Sequence, residues 1–244
     1  MTITNDLSVL AGSANGLNST GFLRNRFING GFQVWQRGTS FTITSSASGT
    51  TGSSPTADRW TVENNTGATA TITQQTNTGT YGSSPYYMQV TCPSLPNGDF
   101  IQPWETFEAQ NIADLAGQTV TLSFYASAAA TGGTLNITIF AAYPSAIDNW
   151  TSASFPSVAT VTPTSTPTKY TATFTLPSGC SNGLRIYMSL RNTGTTATSI
   201  TYSLSSIQLE SGSVASPFEH RLYSYELMLC QRYLFAMQSN ASNN

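Results

Sequence analysis

Residues 170–190 read YTATFTLPSGCSNGLRIYMSL. Tyr170, Ala172, Phe174 and Leu176 alternate with threonines, the period-two pattern of a strand with one buried and one wet face. Leu184-Arg185-Ile186-Tyr187-Met188-Ser189-Leu190 repeats that pattern. Between the two runs, Pro177-Ser178-Gly179 and Ser181-Asn182-Gly183 supply turn residues. The same alternation recurs at Val120–Phe124, Leu135–Ile139 and Ile200–Leu204, with turn signals at Thr131-Gly132-Gly133 and Asn192-Thr193-Gly194. Short strands at such spacing predict a two-sheet antiparallel sandwich over residues 25–221. Within it, Phe27 to Trp35 is expected to be a first strand and core plug, bent at Gly30-Gly31. Thr44 to Pro55 and Thr160 to Thr168 read as Ser/Thr-rich loops, and Ile112 to Gly117 as a short helical turn.

The pattern changes after Pro217. Leu222 to Met237 contains neither Gly nor Pro and is rich in helix formers, and Leu222, Tyr225, Leu229, Tyr233 and Ala236 fall on one stripe. Leu227, Met228, Leu234 and Phe235 spread apolar surface around the other sides. A helix apolar on most faces expects burial on more than one side, so these four are candidates for contact with a second subunit. Residues 222–244 are therefore expected to be a C-terminal helix with a polar tail. At the other end, residues 1–24 form an arm rich in Gly, Ser and Asn after one apolar patch. Such an arm buries too little to offset its own ordering entropy, so Leu7, Val9 and Leu10 are expected to dock on a partner surface.

The 244 residues suffice for one large all-β domain with appendages, or for two small ones. Only 8% of them are charged, against roughly 25% in an ordinary soluble domain. Lys169 is the single lysine and the formal net charge is -2. No basic stripe exists, which argues against nucleic acid as a partner. No run approaches the roughly 18 apolar residues of a membrane span, and the start MTITNDLSVLAG lacks a signal peptide's basic opening and long apolar core. Cys92, Cys180 and Cys230 are odd in number and far apart, and read as three reduced, mostly buried thiols of a protein made in a cytosol.

Several residues carry candidate chemistry. Sugar recognition needs aromatic faces for stacking and amides or carboxylates for hydroxyls. The loop Gln102–Glu108 holds that mix, as do Ala142–Trp150 and Tyr86-Tyr87. Trp104, Glu105, Tyr143, Asn149 and Trp150 are the candidates, although exposed tryptophans suit a protein contact equally well. Asp58-Arg59-Trp60 suggests a structural clamp in which Arg59 pairs with Asp58 or Glu63 or stacks on Trp60. Glu210 and Glu219 read as partners for Arg221 or Arg37. Catalysis is not expected. His220 is the sole histidine and no G-x-S-x-G occurs, no His/Cys cluster offers a metal site, and no cofactor motif is present. Glu105 and Glu108 would need to face each other across a cleft to act as a glycosidase pair.

Five segments taken in order carry a resemblance. NRFINGGFQVWQRGTSFT at 25–42, TADRW at 56–60, DLAGQTVTLSFYASA at 114–128, SSIQLESGSVASPFEHR at 205–221 and YELMLCQRY at 225–233 together bracket most of the chain. They resemble the carbohydrate-binding-module-like jelly-roll domains of tailed-phage tail fibres and other virion proteins. The resemblance implies an all-β jelly-roll sandwich with an N-terminal arm and a C-terminal α-helix. It implies a non-enzymatic structural protein on the virion surface, made in the host cytoplasm and joined to other virion proteins through its arm. As a tail-fibre or head-fibre appendage its sandwich would meet host glycans. As a capsid decoration protein it would bind no ligand, and its tryptophans would be buried in subunit or capsid contacts. Phage appendages are commonly three-fold and the helix has apolar surface to spare, so a homotrimer is expected.

Overall fold

The computed structural model describes residues 24–234, so the docking candidates Leu7, Val9 and Leu10, and Phe235 of the helix, lie outside the described residues. The first strands are β1 (Ser40–Thr44), β2 (Ser48–Pro55), β3 (Trp60–Thr66), β4 (Thr69–Thr76), β5 (Tyr86–Leu95) and β6 (Phe100–Phe107). A short helix α1 (Ala109–Ile112) and a 3-10 turn then lead into β7 (Thr119–Thr131). Next come β8 (Leu135–Ala146), β9 (Asn149–Ser154), β10 (Ser157–Val161), β11 (Thr168–Thr175), β12 (Leu184–Asn192) and β13 (Ala197–Ser211). Helix α2 (Tyr223–Gln231) follows.

All strand pairs are antiparallel. One sheet runs β1-β4-β5-β13-β7-β11, and the other runs β10-β8-β12-β6-β3-β2 with β9 against the end of β8. From β5 to β8 and again from β10 to β13 successive strands alternate between the sheets, so the protein is a two-sheet jelly-roll sandwich. The alternation in the sequence explains the packing. Ile186, Met188 and Leu190 of β12 and Leu122, Phe124 and Ala126 of β7 are buried between the sheets. Each of these side chains except the small Ala126 contributes about 1.5–3 kcal/mol. Tyr202 of β13 lies wholly inside, and its hydroxyl donates to the Met188 carbonyl at 3.1 Å, tying one sheet to the other.

Three expectations change. Residues 44–55 are not simply a loop, because Ser48–Pro55 adds β2 as the edge of the second sheet. Residues 27–35 form no strand. Asn29 and Phe32 take positive φ of 60° and 54°, so the chain turns twice and drops Phe27, Phe32 and Val34 into the core. Phe27 and Phe32 pack on the buried Trp60 at 5.3 Å and 5.0 Å between ring centroids. Asn29 holds this plug. Its amide donates to the carbonyls of Val34 (2.8 Å) and Asp58 (3.0 Å), and its side-chain oxygen accepts the Val34 N–H (3.0 Å). A short polar side chain that bonds its own backbone tolerates the left-handed region.

The third change concerns α2. Its inward side is centred on the buried Glu226 and Cys230, and Leu222 of the expected stripe is exposed. The reason is that the pole of the sandwich beneath it is polar. Glu226 accepts the Asn29 N–H and faces Arg221 at 3.5 Å, and Arg221 also pairs with Glu219 at 3.1 Å. Of the candidate oligomer contacts, Met228 is 56% exposed, and Leu227 and Leu234 are half-buried.

Candidate functional site

The outward positions of the second sheet form one continuous surface. On β12, Arg185, Tyr187, Ser189 and Arg191 alternate with the buried Ile186, Met188 and Leu190. Register carries this parity to the neighbours. Tyr187 lies between Phe140 on β8 and Trp104 on β6, with Thr61 on β3 beyond Trp104. One rung further along the strands, Ser189 sits beside Thr138, and Gln102 beside Glu63. Phe100 and Asn136 flank Arg191. A ladder of rings is thus edged by amides, hydroxyls and a carboxylate.

The rings are fixed by one another. Trp104 and Tyr187 stand 5.5 Å apart, and Phe155, 55% exposed in the turn between β9 and β10, leans over Tyr187 at 5.8 Å. The Arg185 guanidinium is clamped between the indoles of Trp104 (4.4 Å) and Trp150 (3.9 Å), and its Nε donates to the Thr106 hydroxyl at 3.0 Å. Cation–π contact of this kind holds a flat array of planar groups without a carboxylate partner. Glu63 orients the middle of the ladder by accepting from Gln102 Nε2 (2.6 Å) and from the Trp104 indole (3.1 Å). Burial, reinforced by the nearby Glu63 charge, pushes the Tyr187 hydroxyl above its ordinary pKa. It therefore remains a hydrogen-bond donor at neutral and mildly alkaline pH. Tyr187 is itself 4% exposed, covered by its neighbours, whereas Trp104 and Phe140 are half-buried and Phe155 is exposed. Such rings with polar groups of both kinds suit a sugar, whose C–H faces stack and whose hydroxyls both donate and accept.

The sequence candidates divide. Trp104 and Trp150 stand on this face, and Asn149 starts β9 beside them, its side chain accepting from the Thr151 N–H and hydroxyl. Glu105 does not. It is 0% exposed and points to the opposite side of β6 from Trp104. The stretch around it is a strand rather than a loop, so adjacent residues face apart. Arg59 lies 3.4 Å from Glu105, and the Ile28 N–H donates to it at 3.2 Å. Burial, offset only in part by Arg59 and Ile28, pushes this carboxyl up to about 8. It cannot serve as half of a glycosidase pair, and Glu108 is engaged by Arg232. Tyr143 likewise falls on the inward parity of β8 and packs against the sandwich and Gly179.

Arg59 pairs with neither Asp58 nor Glu63. It turns to Glu105 and the Thr106 carbonyl and lies 3.5 Å from the Tyr233 ring centre, whereas Asp58 accepts from Gln36. Tyr87, on β5 of the other sheet, stacks on Tyr81 of the preceding turn, away from the ladder. The three cysteines are buried and unpaired, and among the described residues no group of three His, Cys, Asp or Glu side chains could hold a metal ion. Sequence reasoning missed Phe140, Phe155, Tyr187, Glu63 and Arg191 as members of one surface. Their common signal is outward parity on paired strands, which needs the register as well as the alternation.

No family model and no curated protein matches the chain. Among solved structures, it is similar to a family 61 carbohydrate-binding module determined with β-1,4-galactotriose, at 11% identity and TM-score 0.45 over 78% of this chain and 99% of that one. A family 4 carbohydrate-binding module is similar at 18% identity and TM-score 0.40, over 75% and 98%. The enzymatically active domain of tailspike protein 4 from bacteriophage CBA120 is similar at 12% identity and TM-score 0.41, over 78% of this chain and 22% of that one. The likeness is one of β-sandwich architecture.

Proposed function

We propose that the protein is a non-catalytic glycan-binding module that holds a polysaccharide strand along the outer face of its second sheet. The observation that carries this reading is the ladder Phe140–Tyr187–Trp104, overhung by Phe155 and Trp150 and edged by Glu63 and Gln102. We further propose that it serves as a tail-fibre or head-fibre appendage of a tailed-phage virion, attaching the particle to host glycans. The ordered segments at 25–42, 56–60, 114–128, 205–221 and 225–233 support that origin.

The test is Trp104→Ala against a panel of bacterial polysaccharides by titration calorimetry. Truncating a central aromatic of a binding surface is expected to weaken affinity about tenfold to hundredfold, with the unfolding midpoint near that of the parent. Unchanged affinity would overturn the placement of the site. Arm-dependent binding to phage particles, with no binding to any glycan, would instead make the protein a decoration protein.

The appendage is proposed to be a homotrimer joined in part through α2. The exposed Leu222, Tyr223 and Met228 support this, since such apolar surface is costly in water. Light scattering should then give three times the chain mass, and a stable monomer would exclude it.

A further inference from the structure

We infer that the glycan held on this face is acidic, and that Arg191 receives a carboxylate of one of its sugars. This rests on the glycan-binding reading above and adds the chemical class of the ligand. Of the nine cationic side chains, five arginines lie within ion-pair distance of carboxylates: Arg24, Arg26, Arg59, Arg221 and Arg232. Arg37, Lys169, Arg185 and Arg191 have no such carboxylate among the described residues, and of these Arg185 and Arg191 stand together on the outer face of β12. The chain as a whole is slightly acidic, yet this face carries two arginines against the single carboxylate of Glu63. Glu63 is already engaged by Gln102 and Trp104.

Arg185 is explained by its two indoles and by Thr106. Arg191 is not explained. Its guanidinium lies 5.1 Å from the Phe100 ring and 5.4 Å from the Phe140 ring. Phe100 is its direct neighbour across β6, but Phe140 pairs with Tyr187, two residues back along β12. The side chain therefore folds back over Ser189 towards the middle of the ladder. That path explains why Ser189 is wholly buried although it sits on the outward parity.

Two polar atoms are left over at this spot. Arg191 Nε and Ser189 Oγ are both buried without a hydrogen-bond partner, and no described residue forms a hydrogen bond with the Arg191 side chain. Burial lowers the pKa of the guanidinium from its ordinary value, in the direction expected of a cation short of counter-charge. Buried charges are ordinarily paired, and buried donors ordinarily satisfied. The guanidinium fork matches a carboxylate in two parallel bonds within one plane. With an aromatic ring to either side, a planar anion fits that plane, whereas a tetrahedral one directs an oxygen towards a ring. The neighbouring half-buried Trp104 would then stack the sugar that bears the carboxylate.

The test compares polysaccharides that differ only in charge. Polygalacturonate, alginate and hyaluronan, each beside its carboxyl-reduced neutral form, are titrated at low and high salt together with neutral xylan and mixed-linkage glucan. The expected result is about tenfold or greater preference for at least one carboxylated polymer over its reduced form, diminished at high salt. Arg191→Gln should bring that ratio to about one. Arg191→Lys, which keeps the charge and loses the fork, should leave an intermediate ratio and serves where the glutamine variant folds poorly. Trp104→Ala should weaken both forms alike. Equal affinity for native and reduced forms, preference for the neutral glycans, or a preference that survives Arg191→Gln would overturn this inference and leave the glycan-binding proposal standing. Binding to no member of the panel would overturn both.

Discussion

Gly30→Ala is expected to destabilise the protein by about 3 kcal/mol or more, a large effect for one methyl group. A Cβ at position 30 would stand 2.2 Å from the Ile207 carbonyl oxygen. That oxygen belongs to the backbone of β13, at the irregularity in its pairing with β7, and accepts from the Asn25 amide at 3.0 Å, so moving it costs that bond as well. The two strands of chain meet there because the Ile207 N–H donates to the Gly30 carbonyl at 2.9 Å. Separating them breaks this bond and pulls at Phe27 and Phe32, which pack on Trp60. Gly38→Ala is the control. Its Cβ would meet nothing within 4 Å, and its φ of 116° leaves only backbone strain, about 1–2 kcal/mol. Urea unfolding of the two variants should separate them clearly. A Gly30→Ala midpoint equal to that of Gly38→Ala would show that the plug is looser than its contacts imply.

The second large effect is a pH dependence centred on Glu105. Its carboxyl is held up at about 8 when folded and has an ordinary value of 4.5. Below about pH 4.5 it is protonated in both states and costs nothing. Between 4.5 and 8 the unfolded chain has released the proton while the folded chain keeps it, so stability falls as pH rises. At about 1.4 kcal/mol per unit, the window amounts to a few kcal/mol. Glu226 and Asp58 are shifted upward too, chiefly by burial, and steepen the same slope. Glu105→Gln removes the titration and keeps the shape. Its unfolding free energy relative to the parent should therefore be near zero at pH 4 and rise by a few kcal/mol towards pH 8. Arg59→Met lifts the folded pKa of Glu105 further, so its stability difference from the parent should stay flat up to about pH 8 and widen only above it, where the parent carboxylate has its cation. A parent whose stability is flat from pH 4.5 to 8 would contradict the burial of this carboxyl.

The sandwich was legible because alternation is a local property. Val120 to Phe124 and Leu184 to Leu190 reveal which side chains go inward, and the structure places Val120, Leu122, Ile186 and Met188 there. The plug was not legible, since Phe27 to Trp35 has a strand's apolar content and nothing in it announces positive φ at Phe32. Residues 44–55 misled in the opposite direction: their small polar side chains suit an exposed edge strand as well as a loop. On the ring-lined face, Trp104 and Trp150 stood out as rings. Glu105 groups with Trp104 only as long as their stretch reads as a loop. Once it is a strand, parity alone sends the two to opposite sides. Tyr187 and Arg191 were visible as a wet side, but their meeting with Trp104, Phe100 and Phe140 depends on pairings between residues far apart in sequence.

The fastening of Asn25 and Phe27 to the segment before α2 has a mechanical side. Arg24 donates to the Pro217 carbonyl, Arg221 to the carbonyls of Asn25 and Phe27, and Glu219 accepts the Asn25 N–H. A pull on the chain ahead of Arg24 is therefore carried first by residues 217–221, through bonds and an ion-paired arginine that load together. Tension applied between the two ends of the sandwich would be borne first across this clasp, before it reaches β6 through the Ile28 N–H on Glu105. A tethered copy could then be dragged by a moving load while its ring-lined face keeps its shape.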